Sequence, residues 1–226
     1  MLKKHLPNAL TCANLLSGCV GIVFCFNGDL KYAAYFVILS GIFDFFDGMA
    51  ARALKVSGGI GKDLDSLADM VSFGFLPGAV MFHLLKASDG TNEYLPYLGF
   101  LITLFSALRL AKFNTDTRQT VDFIGLNTPM NTLFIVSLPY VADYHPQIIG
   151  NWMVLAVISV ISSYLLVSEI KIFSLKFSNF KWSENKIKFI FMILSLALFI
   201  WHQFVALPII LLLYIGLSFV YFRQRA

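Results

Sequence analysis

Charge is scarce in this sequence. Only 13% of its 226 residues are Asp, Glu, Lys or Arg, whereas 58% are hydrophobic and Phe alone contributes 23. The mean hydropathy of +0.75 lies far above that of an ordinary soluble domain. So few polar groups cannot cover the core that so many apolar residues would make. The long continuous apolar runs also exclude a membrane β-barrel, whose strands alternate. In lipid this leaves the α-helix, which satisfies its own backbone. The expected fold is all-α, a polytopic membrane helical bundle of about eight transmembrane helices.

Cysteine is scarce too. Cys12, Cys19 and Cys25 all fall in the first apolar segment and form no CxxC, so neither a disulfide framework nor a thiolate metal site is indicated. They read as small apolar side chains buried in a helix. His5, His83, His145 and His202 are scattered without an HExxH, which removes the basis for a zinc site. Lys3 and Lys4 before an apolar run, and "LSGC" at Leu16–Cys19, have the outline of a secretory or lipoprotein signal. Pro7, Asn8, Thr11 and Asn14 are too polar for its core, and the residues after Cys19 stay apolar, so a retained span is expected. No short repeat or low-complexity tract stands out.

Taking roughly 20 residues per crossing, the spans fall near 6–27, 31–53, 64–86, 94–113, 127–143, 150–168, 187–202 and 204–222. The last two are divided only by a tight turn near His202 and Gln203, and Pro208 falls inside the last. With eight spans and an inside N-terminus, all but Lys31 and Lys86 of the 17 basic residues fall on the inside. That bias places both termini in the cytoplasm. It also accounts for the net charge of +4 without invoking nucleic acid. Lys171–Lys188, which mixes Lys with Phe173, Phe177, Phe180 and Trp182, reads as an amphipathic stretch on the cytoplasmic face.

One region breaks the apolar pattern. "DFFDGMAARALKVSGGIGKDLDSLADM", from Asp44 to Met70, carries five Asp and an Arg between two spans. At 100° per residue, Asp44, Asp47, Gly48, Ala51 and Arg52 share an arc of about 140°, and Gly61, Asp65 and Asp69 share a stripe of about 80° on the next helix. "KVSGGIG" between them cannot easily continue a helix. An antiparallel hairpin with facing acidic stripes follows, and Asp63 falls out as a solvated loop charge. An Asp at mid-membrane costs roughly 2.5–3.5 kcal/mol, so four unpaired ones would cost on the order of 10–14 kcal/mol. Arg52 can neutralise at most one. Two divalent cations would balance four carboxylates, and hard oxygen ligands suit Mg²⁺ or Mn²⁺. Carboxylates holding a metal pair are a device for displacement at phosphorus.

The eight specified residues fit D-x-x-D-G-x-x-A-R-x8-G-x3-D-x3-D without a mismatch. This resembles the signature of the CDP-alcohol phosphatidyltransferases. "SLADMVSFGFLPG", "RLAKFN" and "FIGLNTPMN" look like the phosphatidylserine synthase branch, with Lys112 where an Arg is usual and Asn127 where a Pro is frequent. The resemblance covers residues 5–135 of one membrane domain spanning 1–226, and the spans in 150–222 look generic. It implies CDP-diacylglycerol and L-serine as substrates, phosphatidylserine and CMP as products, and a homodimer in a bacterial cytoplasmic membrane. Carried over, it makes Asp44, Asp47, Asp65 and Asp69 the metal ligands and Asp69 also the general base. Gly48, Ala51, Arg52 and Gly61 would bind CDP-diacylglycerol, joined by Thr11 and Asn14 from "PNALTCAN". Arg109 would bind the acceptor.

Other readings are weaker. "GGIGKD" lacks the upstream glycine of a phosphate loop and has Asp63 where Ser or Thr is needed. Within the family the acceptor alternatives are glycerol 3-phosphate and inositol phosphate. Outside it, intramembrane carboxylates also serve cation or proton transporters. Those favour midplane sites in repeated halves, and no second copy is visible.

Overall fold

The computed structural model describes residues 5–56, 60–119, 122–175, 177, 179 and 181–224, with the side chain of Ser183 left aside. Lys3, Lys4, Lys176 and Arg225 of the charge count, Phe180 of the amphipathic stretch and Ser57–Gly59 of the glycine-rich turn lie outside the described residues. Each expected span corresponds to a helical segment. The chain runs α1 (Leu6–Phe26), α2 (Leu30–Ala53), α3 (Ile60–Asp69), a π-helical turn (Met70–Phe75), α4 (Leu76–Ala87) and a 3₁₀ turn (Leu95–Gly99). It continues with α5 (Phe100–Thr115), β1 (Phe123–Ile124), α6 (Thr128–Tyr144), the short α7 (Pro146–Ile149) and α8 (Trp152–Val167). β2 (Lys171–Ile172), α9 (Trp182–His202), a 3₁₀ turn (Gln203–Ala206) and α10 (Leu207–Arg223) complete it.

Among the described residues five segments are long and apolar enough to cross a bilayer, including the 40-residue stretch Glu184–Arg223 that the Gln203–Ala206 turn divides in two. α6 and α8, of 17 and 16 residues, are shorter. The protein is a polytopic helical membrane protein.

Contacts across the bundle fix its two ends. At one, Asn8 Oδ1 lies beside Gly61, Lys62 Nζ donates to the Asn114 carbonyl at 3.0 Å, and Lys112 pairs with Glu169 at 2.6 Å. At the other, Lys31 pairs with Asp143 at 2.5 Å and Asp89 N–H donates to the Gly150 carbonyl at 3.0 Å. All the aspartates of the acidic motif belong to the first end. There Arg118, which is exposed, also pairs with Asp116 and holds that carboxyl well below the usual carboxylate range.

The segment from Ile60 to Ala87 is the centre of the bundle. It is 61% buried over its most apolar stretch, against 28–44% for the other four spans. Leu76, Ala79, Val80, Met81 and Leu85 of α4 are fully enclosed by α1, α2, α5 and α6. Its π turn has an identifiable cause. Pro77 has no N–H to offer the Phe73 carbonyl four residues earlier. Thr132 Oγ1 of α6 donates to that carbonyl at 2.7 Å, and Thr103 Oγ1 of α5 donates to the Gly74 carbonyl at 3.1 Å. Wider turns of this kind occur at sites where a helix must re-aim its side chains.

α1 is clamped against this turn. Ser40 of α2 and Ser72 of the π turn both donate to the Asn14 carbonyl at 3.1 Å. Gly18 permits the approach, since a Cβ there would lie 2.3 Å from Ser72 Oγ and 2.9 Å from Ser72 Cα.

Several expectations are corrected. Of the cysteines only Cys25 is buried; Cys12 and Cys19 are on the outward face of α1, where apolar thiols meet lipid rather than core. Pro208 does fall inside the last span, and the 3₁₀ turn over residues 203–206 leaves it in the first turn of α10, where no N–H is needed. Asp63 is exposed as expected, yet helical, because α3 begins at Ile60. Lys171–Lys188 is not a separate surface stretch: β2 pairs antiparallel with β1, and Ile172 and Phe173 enter the core. Phe173 packs edge-on to Tyr214, which explains why an apolar side chain leaves the surface.

The close approach at Gly18 gives a first test. Gly18→Ala places a methyl against backbone, so thermal unfolding of the detergent-purified protein is expected to show a loss of about 1–3 kcal/mol. An unchanged midpoint would count against this packing.

Candidate active site

The acidic motif is assembled by α2 and α3, with α1 behind them. Asp44, Asp47 and Asp65 each offer a carboxylate oxygen, and the three oxygens lie within 4.8 Å of one another. The Asp44 and Asp65 carboxyls come within hydrogen-bond reach. Carboxylates this close repel unless a proton or a cation lies between them. Asp65 Oδ1 is buried without a hydrogen-bond partner among the described residues. No salt bridge joins Arg52 to the trio among the described residues; its Nη1 lies 3.4 Å from where a Cβ on Gly48 would stand. The cluster is a set of hard oxygen donors that no salt bridge neutralises among the described residues, and this is the donor chemistry a divalent cation requires.

Asp69 is not one of the trio, though it is within electrostatic reach of all three. Its Oδ1 accepts a hydrogen bond from Asn14 Nδ2 at 3.2 Å. Asp47, 6% exposed, accepts from Thr11 Oγ1 at 2.6 Å. Thr11 and Asn14 of the first-span motif are therefore hydrogen-bond partners of the aspartates. Spacing explains it: Asp44, Asp47 and Arg52 end α2, Gly61, Asp65 and Asp69 run along α3, and Thr11 and Asn14 stand on one side of α1.

A cavity of about 340 Å³ opens beside the cluster. Thr11, Asp47, Gly48, Ala51, Gly61 and Asp65 line it, so six of the expected residues share one space. Gly48 and Gly61 supply room there; a Cβ on Gly61 would approach Asn8 Oδ1 to 3.4 Å. Asp44, Asn14, Asp69, Arg52 and Arg109 do not line it. Asn8 and Lys62 do, and the sequence reading assigned neither to the site. Their signal was available in principle, since Asn8 is one helical turn before Thr11 and Lys62 follows Gly61 directly.

Arg109 is 7% exposed and does not snorkel. Its Nη1 donates to Thr128 Oγ1 at 2.9 Å, and the guanidinium stands 5.1 Å from the Phe113 ring and 5.9 Å from that of Phe123. Asp69 and Tyr214 are within its electrostatic reach. Tyr214 comes from α10. Its hydroxyl donates to the Phe173 carbonyl at 2.7 Å and lies 3.4 Å from Asn127 Nδ2, which belongs to the N-cap of α6. The last span thus contributes Tyr214 to the surroundings of Arg109 and Asn127.

Comparisons with known proteins identify a family. The family model described as CDP-alcohol phosphatidyltransferase matches residues 4–221. A CDP-diacylglycerol–serine O-phosphatidyltransferase of Bacillus subtilis is 32% identical over 172 residues, 74% of this chain and 89% of the relative. One of Helicobacter pylori is 26% identical over 212 residues, 92% of this chain and 87% of the relative. An archaetidylserine synthase of Methanothermobacter thermautotrophicus is 31% identical over 169 residues, 74% and 68% of the two chains.

The hydrogen bond to Asp47 yields a test that needs no substrate. Thr11→Val keeps the shape and removes the donor. Titration with Mn²⁺ is expected to show a roughly 10–100-fold weaker site, the usual effect of losing a group that orients a ligand. Asp47→Asn should weaken it further, and equal affinity in all three proteins would contradict the assignment.

Proposed function

The chain belongs to the CDP-alcohol phosphatidyltransferase family, and from this premise we propose that it transfers the phosphatidyl group of CDP-diacylglycerol to the hydroxyl of L-serine, giving phosphatidylserine and CMP. The observation that carries the reading is the carboxylate trio, unpaired with any cation among the described residues and opening on a cavity whose glycines leave room for a bulky polar ligand. The relatives' names supply the serine.

Arg109 supports serine over a phosphorylated acceptor. It is one buried cation, suited to one carboxylate, whereas a phosphate near −2 calls for more positive charge. Lys112, one turn further on, is turned to Glu169 instead.

In this reading Asp44, Asp47, Asp65 and Asp69 would hold Mg²⁺ or Mn²⁺, two ions by charge balance. When bound, the metal supplies a counter-charge for the pyrophosphate and for the oxygens of the reacting phosphorus. The chain's own groups do the rest. Gly48, Ala51 and Gly61 shape the space for the nucleotide, with Lys62 in its lining and Arg52 next to Gly48 as phosphate partners. Thr11 holds Asp47, and Asn14 holds Asp69. Asp69 takes the proton of the serine hydroxyl, a weak nucleophile that needs a base. The serine oxygen bonds to the phosphatidyl phosphorus as the bond from that phosphorus to the CMP oxygen breaks, and CMP leaves.

The basic residues at the aspartate end support a bacterial cytoplasmic membrane with the site and both termini toward the cytoplasm. A homodimer belongs to the reading on family likeness alone. The carboxylates gather at one end of the bundle, which disfavours a transporter path.

Purified protein with CDP-diacylglycerol and Mn²⁺ is expected to release CMP with L-serine and much less with glycerol 3-phosphate or inositol phosphate. Absence of CMP release under every metal and acceptor condition would sink the proposal. Asp69→Asn should lower turnover about 10²–10⁴-fold while CDP-diacylglycerol still binds.

A further inference from the structure

Eight buried side-chain atoms have no hydrogen-bond partner among the described residues, and half of them belong to three neighbouring residues: Ser106 Oγ, Arg109 Nε, and both Nδ2 and Oδ1 of Asn131. Ser106 and Asn131 are completely buried. Buried polar groups are nearly always paired, so this concentration needs an explanation.

The three residues belong to α5 and α6 where both helices meet the π turn. Ser106 and Arg109 are a turn apart on α5 and share a face. Arg109 reaches α6 at Thr128, and Asn131 stands a turn beyond Thr128. Both helices face the π turn that follows Asp69. Ser106 Cβ is 3.3 Å from where a Cβ on Gly74 would lie, and Thr132, next to Asn131, donates to the Phe73 carbonyl. Asp69 is within electrostatic reach of Arg109.

We propose that Ser106, Arg109 and Asn131 form the subsite that reads the amino-acid head of the acceptor, and that Asn131 is the residue that recognises its α-amino group. The inference rests on the transferase reading above. The donor inventory fits a zwitterion. The guanidinium uses Nη1 on Thr128 and leaves Nε for one oxygen of a carboxylate. The Asn131 carbonyl accepts from an ammonium while its amide donates to a carboxylate, so both orphaned atoms gain partners from one small molecule. Ser106 adds a hydroxyl that either donates or accepts. A seryl head bound here would direct its hydroxyl toward Asp69. A phosphorylated acceptor lacks the ammonium that the Asn131 carbonyl would accept from.

The test uses the full chain, CDP-diacylglycerol and Mn²⁺, with L-serine and 3-hydroxypropionate, which keeps the hydroxyl and carboxylate but lacks the amine. The wild type is expected to favour L-serine in kcat/KM by roughly 10²-fold or more, as sites built to hydrogen-bond a substrate amine do. Asn131→Leu removes both hydrogen-bonding atoms at similar volume. It should raise the KM for L-serine about tenfold or more, the effect of a lost hydrogen bond to a charged group. The KM for 3-hydroxypropionate should move less, since it loses only the amide's bond to its carboxylate, and that for CDP-diacylglycerol should hold. Ser106→Ala, a change that leaves the backbone untouched, should raise the KM for L-serine several-fold. The inference is overturned if the KM for L-serine is unchanged in both variants, or if both acceptors suffer equally in Asn131→Leu. In either case the transferase reading survives, because wild-type CMP release with L-serine has already been measured. No wild-type release with any acceptor overturns both.

Discussion

The structure depends on gathering carboxylates where lipid surrounds the protein. Asp44, Asp47 and Asp65 bring oxygens within 4.8 Å, and Asp69 stands within their field. Such a group is stable only if its charge is shared with hydrogen-bond donors, cations or water. Thr11 and Asn14 provide donors from α1, and the 340 Å³ cavity leaves space on the other side. What stays unbalanced is the charge that a metal and a pyrophosphate would answer. The feature that is least favourable for the bundle alone is therefore the one that a bound ligand completes.

The surrounding helices are arranged around that need. α1 is held between α2 and the π turn by two serines on one carbonyl, and Gly18 lets it approach. This fixes Thr11 and Asn14 relative to helices that carry their partners. The π turn after Asp69 is in turn fixed by Thr103 and Thr132, donors from two further helices. Asp69 thus sits at the joint where α1, α5 and α6 meet the central segment. Even α10 contributes, because Tyr214 links the Phe173 carbonyl to Asn127 at the start of α6.

Much of the site was legible because helical geometry is periodic. Asp44, Asp47, Gly48, Ala51 and Arg52 had to share one side of a helix, and Gly61, Asp65 and Asp69 another, whatever the rest of the chain did. Spans were legible because apolar length is a local property. Readings that needed the partner of a residue fared differently. Cys12 and Cys19 read as buried, yet burial depends on which face of α1 meets a neighbour. Phe173 read as a surface residue of a basic stretch, yet Tyr214, 41 positions away, takes it into the core. Asn8 and Lys62 looked ordinary until the fold set them beside the cavity.

The sequence by itself determined the solvent of this protein, the order of its apolar spans and the two acidic stripes, since each follows from composition or from a period of 3.6 residues. The tertiary structure alone decided which donor holds which aspartate, that Arg109 is buried on Thr128, and that Ser106 and Asn131 face the turn after Asp69. Those are pairings between residues about 20 to 60 positions apart. A helix carries its own side-chain directions, but its rotation and height against its neighbours are set by how all the faces pack together, and no local pattern records them.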